Sequence, residues 1–329
     1  MDGASVLVVV PTLNEAAHIE ACLMSILEGT VSLSKSSLVV VDGGSQDKTR
    51  KIVRRLAERH PQISLVDNPD RFQSAGVNRA VERFAGPKHH VLIRCDAHAI
   101  YPPDYIERLT ARLMQTGAAS VVTVMDATGE TPFARAAAWI VDTPLGSGGS
   151  AHRGGADSGF VDHGHHAAFD LSAFRDVGGY DPTFSHNEDA ELDVRLAQSG
   201  GKIWLDATIR LDYVMRPTLR GLLRQYWNYG KGRARTVGKH SLHPRLRQLL
   251  PAVNFALLVL TVLGGMFFPL LWVLPIAYFA TVAAVSVLAA VRLRDPSGLW
   301  AGPSMAAMHN GWAAGFLFQI FGDFYRSKL

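Results

Sequence analysis

Cysteine is nearly missing from this chain of 329 residues, which has only Cys22 and Cys95. Two thiols cannot build a disulfide framework, so the chain suits a reducing compartment. A strong charge of either sign is missing as well. Lys and Arg number 33 against 29 Asp and Glu, a formal net charge of +4, and nothing global points to nucleic acid. No Gly-x-Gly-x-x-Gly follows the first strand-like run, which weakens a dinucleotide-binding reading, and no glycine-rich loop ends in a lysine to cradle a triphosphate. The opening apolar run, Val6–Val10, has no basic lead-in. It is also too short for a signal-peptide core, so the N-terminal domain is expected to stay in the cytoplasm. No internal repeat is evident.

Residues 249–291 contain no Asp, Glu, Lys or Arg. The stretch is mostly Leu, Val, Ala and Phe, and a bilayer span needs roughly 20 such residues. Its length predicts two spans, with Gly264-Gly265 and Pro269 forming the turn between them. A soluble core helix rarely lacks a polar face over such a distance. Arg245 and Arg247 precede the stretch and Arg292 and Arg294 follow it, while the turn has no basic residue. The positive-inside tendency puts both ends on the cytoplasmic side. A third apolar segment, 299–321, carries His309, Asn310 and two tryptophans. Spanning and interfacial placements are both open for it. The expected division is a domain at 1–235, a basic juxtamembrane linker at 236–248 and a membrane region at 249–329.

The first 130 residues alternate strand and helix signals. Val6–Val10, Leu38–Val41, Ile63–Val66 and His90–Ile93 read as strands, and Glu15–Leu27, Lys48–Arg59 and Phe72–Phe84 as helices. Short β-rich runs separated by helices predict a mostly parallel sheet covered on both faces. Ligands of such sheets sit at the carboxyl ends of the strands, where Asn14, Asp42 and Asp96 fall. The stretch from Gly146 to Gly164 is rich in Gly, Ser, His and Asp and reads as an unpacked loop that moves or orders on binding. Beyond it, Glu188–Gln198 reads as a helix, Lys202–Leu205 as a strand and Pro217–Asn228 as an amphipathic helix.

Arg94-Cys95-Asp96-Ala97-His98 closes the apolar run Val91–Ile93. A strand that delivers an Asp and a His two residues apart offers an oxygen and a nitrogen pointing the same way. A divalent metal, or a metal-bound diphosphate, can use that pair. Pro11-Thr12-Leu13-Asn14-Glu15 reads either as a helix N-terminus suited to a nucleotide's polar groups or as an ordinary strand–helix turn. At the second strand, Asp42 can accept hydrogen bonds from a base or ribose, with Gly43 and Gly44 permitting close approach. His152, His163, His165 and His166 invite zinc, but no cysteine lies nearby. Contact with an acceptor or a phosphate suits them better. Arg216, Arg220 and Arg224 recur at i, i+4 as one helical stripe, and Lys231, Arg233 and Arg235 follow. From Arg216 to Arg247 there are nine Lys and Arg and no acidic residue. Beside two spans, the stripe suits anionic lipid or a lipid diphosphate.

Pro11–Glu15, Val40–Thr49, Gly76-Val77-Asn78, Asp96-Ala97-His98 and Asn187-Glu188-Asp189 occur in the order and spacing of family 2 inverting glycosyltransferases. The chain resembles most the bacterial exopolysaccharide branch, which includes succinoglycan assembly, and the resemblance covers residues 5 to about 235. It implies a GT-A fold, a sugar–nucleoside-diphosphate donor and a divalent metal. By this resemblance Pro11, Thr12, Asn14, Glu15, Asp42, Gly76, Asn78 and Asp96 bind the nucleotide. Asp96 and His98 hold the metal. Asp189 is the base that deprotonates the acceptor, unless Asn187 and the acids after it merely cap a helix. Glu188, His165, His166 and the downstream Arg224, Gln225, Lys231 and Arg233 are expected to contact the acceptor or its phosphates.

Three departures matter. Asp-Asp-Gly-Ser is common in the family, and here Asp42-Gly43-Gly44-Ser45 lacks one carboxylate. Asp-x-Asp is common, and here His98 stands second. A neutral imidazole ligates Mn²⁺ well and Mg²⁺ less readily, so Mn²⁺ is favoured, although His98 could instead only hydrogen-bond phosphate. Processive relatives carry Gln-x-x-Arg-Trp, which Gln225-Tyr226-Trp227-Asn228-Tyr229 does not match. One sugar is therefore moved per event. The resemblance implies UDP-glucose as donor, a β-linkage, a polyprenyl-diphosphate-linked acceptor and a bacterial inner-membrane enzyme whose catalytic domain faces the cytoplasm. A non-catalytic membrane scaffold of a polysaccharide complex and a membrane-bound nucleotidyltransferase are the rival readings.

Overall fold

The computed structural model describes residues 5–28, 37–155, 157–165, 168–244 and 246–326. In chain order the elements are β1 Ser5–Thr12, α1 Ile19–Leu27, β2 Ser37–Asp42, α2 Thr49–Arg59, β3 Ile63–Asp67, α3 Gln73–Phe84, β4 His89–Arg94 and β5 Ala99–Ile100. Then come α4 Tyr105–Thr116, β6 Ser120–Thr128, α5 Pro132–Val141, α6 Pro144–Ser147, β7 Gly159–Val161, β8 Ala168–Asp170, α7 Leu171–Asp176, α8 Glu188–Gln198 and β9 Ile203–Val214. Helices α9 Leu219–Lys239, α10 Leu246–Gly264, α11 Val273–Leu293 and α12 Ala301–Arg326 complete the chain.

The strands form one sheet in the order β3-β2-β1-β4-β8-β6-β9-β5, with β7 added on β9. Strands β3, β2, β1 and β4 are mutually parallel. The near-continuous Val and Leu of β1, β2 and β4 are buried, as strands covered on both faces require. The other half changes direction: β8 runs antiparallel to both β4 and β6, and β5 and β7 run antiparallel to β9. The parallel half thus ends at β4, the strand that leads into Asp96, and the rest of the sheet begins with β8.

Three local expectations need correction. Helix α1 starts at Ile19, not Glu15, because the amides of Asn14, Glu15 and Ala16 are taken by Ser45 Oγ (2.8 Å), Thr49 Oγ1 (2.8 Å) and Asp47 Oδ2 (3.1 Å). Side-chain acceptors have outcompeted the helix there. The stretch 146–164 is not wholly unpacked. Its end forms β7, which pairs Phe160 with Trp204. The helix expected to stop at Asn228 runs on to Lys239.

The chain makes two compact units, 1–126 with 154–213, and 127–153 with 214–329. The second places 127–153 with the C-terminal helices, whereas a linear cut at 235 leaves it with the N-terminal part. Within it α9 and α12 lie against each other. A Cβ on Gly230 would come 2.0 Å from Trp312 O, and one on Gly315 would come 2.1 Å from Trp227 O. Small residues let the two backbones approach. Among the described residues, one helix, Pro269–Leu293, is long and apolar enough to cross a membrane. The apolar part of α10 is only Gln248–Gly264, about 25 Å at 1.5 Å per residue and short of a hydrocarbon core of about 30 Å. The expected pair of spans therefore reduces to one candidate helix and a shorter apolar partner. The turn between them does fall at Gly264–Trp272.

Candidate active site

The ends of β1, β2 and β4 assemble the first half of the site. Thr12 and Asp42 are register partners on neighbouring parallel strands. Asp42 Oδ1 accepts the amides of Gly44 (3.0 Å) and Ser45 (2.9 Å) and the Arg50 guanidinium (2.9 Å). Burial pushes the Asp42 carboxyl up, but the Ser45, Arg50 and Gly44 hydrogen bonds outweigh it and hold it below its ordinary value. Among the described residues, Asp42 Oδ2 and Thr12 Oγ1 are buried without a hydrogen-bond partner. A buried polar atom in that state is expensive unless a ligand or water satisfies it. Pro11 precedes Thr12 at the same strand end. The Asn14 side chain accepts from the Gln46 amide at 2.8 Å, so Asn14 and its neighbours tie the first loop to the second.

Gly76 and Asn78 lie on α3 and act through packing. A Cβ on Gly76 would meet Asn68 Nδ2 at 3.0 Å and Val41 at 3.2 Å. Asn78 spends its amide on the Tyr180 backbone, donating to the carbonyl at 2.7 Å and accepting from the N–H at 2.9 Å. Gly179 makes this possible, since its φ is +69° and a Cβ there would sit 2.6 Å from Asn78 Oδ1. Ser74 Oγ donates to Phe184 O at 2.9 Å. Helix α3 therefore fixes the segment that delivers Tyr180 and the start of α8.

The centre of the site is Arg94, the last residue of β4 and 3 % exposed. Its Nη1 donates to Asp189 Oδ1 at 2.7 Å and Oδ2 at 2.6 Å, and its Nη2 donates to Asp96 Oδ1 at 2.6 Å and Gln73 Oε1 at 3.2 Å. Gln73 Nε2 in turn donates to Glu188 Oε1. Asp189 also accepts from the Tyr180 hydroxyl at 2.8 Å and pairs with His165 Nδ1 at 2.8 Å. Burial alone would raise the Asp189 carboxyl, but Arg94, His165 and Tyr180 hold it well below the usual carboxylate range. Glu188 behaves oppositely. Burial first, and then the charge on Asp189, push it up to about 7 against the pull of Arg94. Asn187 precedes the pair with φ 65° and makes no side-chain cap bond to α8.

His98 Nδ1 lies 3.3 Å from Glu15 Oε1. Burial lowers the imidazole's affinity for a proton, but the Glu15 hydrogen bond and nearby negative charge outweigh it, to about 9. A carboxylate behind one ring nitrogen orients the other toward a ligand, as in carboxylate–histidine–metal sites. Among the described residues, no group of three or more His, Cys, Asp and Glu side chains could hold an ion by itself. Asp96 and His98, the two donors expected from the sequence, could hold a cation only if it took its remaining ligands from substrate phosphates and water.

The remaining expectations disperse. His165 is at the site, and His166 lies outside the described residues. Arg224, Gln225, Lys231 and Arg233 all belong to α9, in the second unit. Gln225 Nε2 donates to Tyr229 Oη at 2.8 Å, and Lys231 Nζ stands 5.8 Å over the Phe318 ring. Arg94, Gln73 and Tyr180 are central but were not singled out by sequence reasoning. The Arg94 signal was present, since a lone cation ending a buried apolar run needs a buried partner. Tyr180 gave none.

The sequence profile of "Glycosyl transferase family 2" matches residues 7–178. The chain belongs to glycosyltransferase family 2. It is 43% identical to the succinoglycan biosynthesis protein ExoA of Rhizobium meliloti (strain 1021) over 329 residues, covering 99% of this chain and 98% of that protein. Among solved structures it resembles the mannosyltransferase PcManGT from Pyrobaculum calidifontis, solved with GDP-Man and Mn²⁺, with TM-score 0.59 and 21% identity over 96% of this chain and 87% of that one. It also resembles GalNAc-T7, solved with UDP, GalNAc and Mn²⁺, with TM-score 0.52 and 17% identity over 72% of this chain and 48% of that one. These neighbours give the family 2 chain its GT-A fold, and it is a glycosyltransferase by membership.

Proposed function

We propose that this family 2 glycosyltransferase moves one sugar, with inversion, from a nucleoside diphosphate to a lipid-linked acceptor during assembly of an exopolysaccharide of the succinoglycan kind. The observation that carries the reading is Arg94, whose guanidinium joins Asp96 on the donor side to Asp189 on the acceptor side. The buried Asp42 Oδ2 and Thr12 Oγ1 suit the polar edge of a nucleotide, and UDP-glucose with a β-linked product remains the donor reading. Asp96 and His98 would hold a divalent cation, Mn²⁺ before Mg²⁺ because of the imidazole donor. When bound, the ion supplies charge compensation for the departing diphosphate. The acceptor hydroxyl loses its proton at the Asp189 corner while its oxygen attacks the anomeric carbon on the face opposite the diphosphate.

The membrane reading rests on α11, which we place across the bacterial inner membrane with the catalytic unit on the cytoplasmic side. Helix α12 packs along α9, which carries Arg220, Arg224, Lys231 and Arg233. Such charges do not sit in hydrocarbon without compensation, which favours an interfacial α12. The exposed Arg220 and Arg224 of α9, with Arg216 just before the helix, then meet anionic lipid or the acceptor's diphosphate. The test is release of nucleoside diphosphate from a panel of sugar nucleotides by the purified full chain, with lipid extract and Mn²⁺. UDP release from UDP-glucose that needs lipid extract is expected. Activity untouched by EDTA removes the metal role, and an Asp189→Asn variant as fast as the wild type removes the acceptor-side assignment.

A further inference from the structure

Asp96 and His98 share one short stretch of chain, which leaves β4 and ends at Tyr101, just beyond β5. Tyr101 turns its side chain back into the fold, where it is 3 % exposed. Its hydroxyl meets Asp96 at two points. Tyr101 Oη accepts from the Asp96 amide at 2.6 Å and donates to the Asp96 carbonyl at 3.2 Å. A hydroxyl has one donor and two acceptor positions, so one side chain can hold both backbone polar groups of a single residue. Helix α1 adds to this clamp. Cys22 Sγ donates to the same Asp96 carbonyl at 3.4 Å. Ser25 Oγ accepts from the Tyr101 amide at 3.1 Å and donates to Cys22 O at 2.8 Å. The two ends of the stretch are thus tied to each other and to α1.

We propose that Tyr101 is a positioning residue for the cation site, its hydroxyl fixing the backbone that carries the Asp96 carboxylate. This rests on the metal reading above. Cys22, Ser25 and Tyr101 are all buried, so they act on a ligand through Asp96 and not by touching it. With its N–H and C=O held, Asp96 keeps freedom only in its side-chain torsions, and Arg94 Nη2 restrains those from one side at 2.6 Å. His98 is fixed separately, by Glu15 Oε1 at 3.3 Å and by the Tyr213 ring, edge to face at 5.7 Å. Pairing of Ala99 with Tyr213 between β5 and β9 brings that ring beside the stretch.

A site with two protein donors has no spare one. If the Asp96 backbone shifts, half of the protein's hold on the ion shifts with it, and groups that orient metal ligands in this way typically account for 10–100-fold in affinity. A tyrosine that merely filled space and satisfied its own hydroxyl would affect stability alone. Tyr105 provides the comparison, since it is also buried and its ring lies 4.6 Å from that of Tyr101.

The test is Mn²⁺ binding to the purified full chain with UDP and with GDP in turn, read as loss of the free-ion EPR signal, which needs no turnover. Tyr101→Phe is expected to raise the Mn²⁺ dissociation constant about 10–100-fold, with metal-free nucleotide binding unchanged. Tyr105→Phe also deletes a buried hydroxyl, and should lower the unfolding midpoint while leaving Mn²⁺ affinity at the wild-type value. Cys22→Ala, the second variant for a Tyr101→Phe chain that does not fold, should weaken Mn²⁺ binding in the same direction by less. Wild-type Mn²⁺ affinity in Tyr101→Phe, or in Cys22→Ala where that variant stands in for it, overturns the proposal while leaving the cation reading in place. So does an equal loss in Tyr101→Phe and Tyr105→Phe. A wild-type chain that binds Mn²⁺ with neither nucleotide removes the cation reading and this proposal together.

Discussion

The two sides of the site build their carboxylate clusters in different ways. On one side, Asp42 at the end of β2 takes its partners from the segment that follows it, three to eight residues away at Ser45 and Arg50. On the other, Asp189 at the start of α8 meets Arg94 from 95 residues away and Tyr180 from nine. The first kind of site is wired by its own loop. The second exists only once β4, α3, α8 and the His165 loop have packed together. On the proposed reading, nucleotide binding would rest on local backbone geometry, whereas the acceptor corner would depend on the integrity of a buried charge network.

Removing the hub should expose that contrast most strongly. Arg94→Met leaves Asp189, Asp96 and Glu188 without their cation in a buried setting. Truncating one partner of a buried pair costs about 3–5 kcal/mol, so denaturant unfolding should show a loss of that order together with near-complete loss of turnover. If Arg94→Met instead melts like the wild type, the network is not what holds the acceptor half.

Asp42→Asn should separate the halves kinetically. It keeps the volume but loses the charge facing Arg50, so donor KM is expected to rise about 10–100-fold, worth roughly 1.4–2.7 kcal/mol, with kcat within about threefold. Asp189→Asn is expected to give the reverse pattern, a fall in kcat at nearly constant donor KM. Equal effects on kcat from both variants would erase the distinction between donor and acceptor sides.

This division also decides what could be read from the chain alone. Strands β1, β2 and β4 are legible because their Val and Leu runs are buried on both faces, and Asp42 and Asp96 because one ends such a strand and the other follows one by two residues. The start of α1 was misread since Ser45, Thr49 and Asp47, more than 30 residues away, claim the amides that a helix would otherwise use. The part of α9 beyond Asn228 is hard to read from the chain, since Gly230, Gly232 and Gly238 are poor helix formers. Tertiary contact overrides that propensity, and Gly230 is what admits α12. The Arg94 network was illegible for the same reason that it is cohesive: its members come from remote segments.

Glu188 supplies a pH signature confined to the acceptor half. Its folded value of about 7 lies above the ordinary 4.3 or so of an unfolded glutamate. Between those values the folded state holds more protons than the unfolded one, so this group makes stability fall as pH rises through that window. Glu188→Gln removes the slope while keeping an acceptor for Gln73. Relative to wild type, the variant should gain about 2–3 kcal/mol between pH 5 and pH 8. A difference that stays constant, or grows in the opposite direction, contradicts the raised value.

The smallest effect is the most direct test of the contrast. Arg50 is the donor half's counterpart to Arg94, since it too bridges two carboxylates, Asp42 at 2.9 Å and Asp67 at 2.6 Å. Its side chain is 27 % exposed, however, and Asp67 is 74 % exposed. Water and salt screen such pairs, and Asp42 keeps its two backbone donors when Arg50 is gone. Arg50→Met should therefore cost only about 0.5–1 kcal/mol, and the loss should shrink in high salt, whereas the Arg94→Met loss should not. The same substitution in each half, read at low and high salt, isolates burial as the variable. Equal costs for the two arginines would mean that the charge pair matters more than its surroundings, and the distinction between a loop-wired and a packing-wired site would not hold.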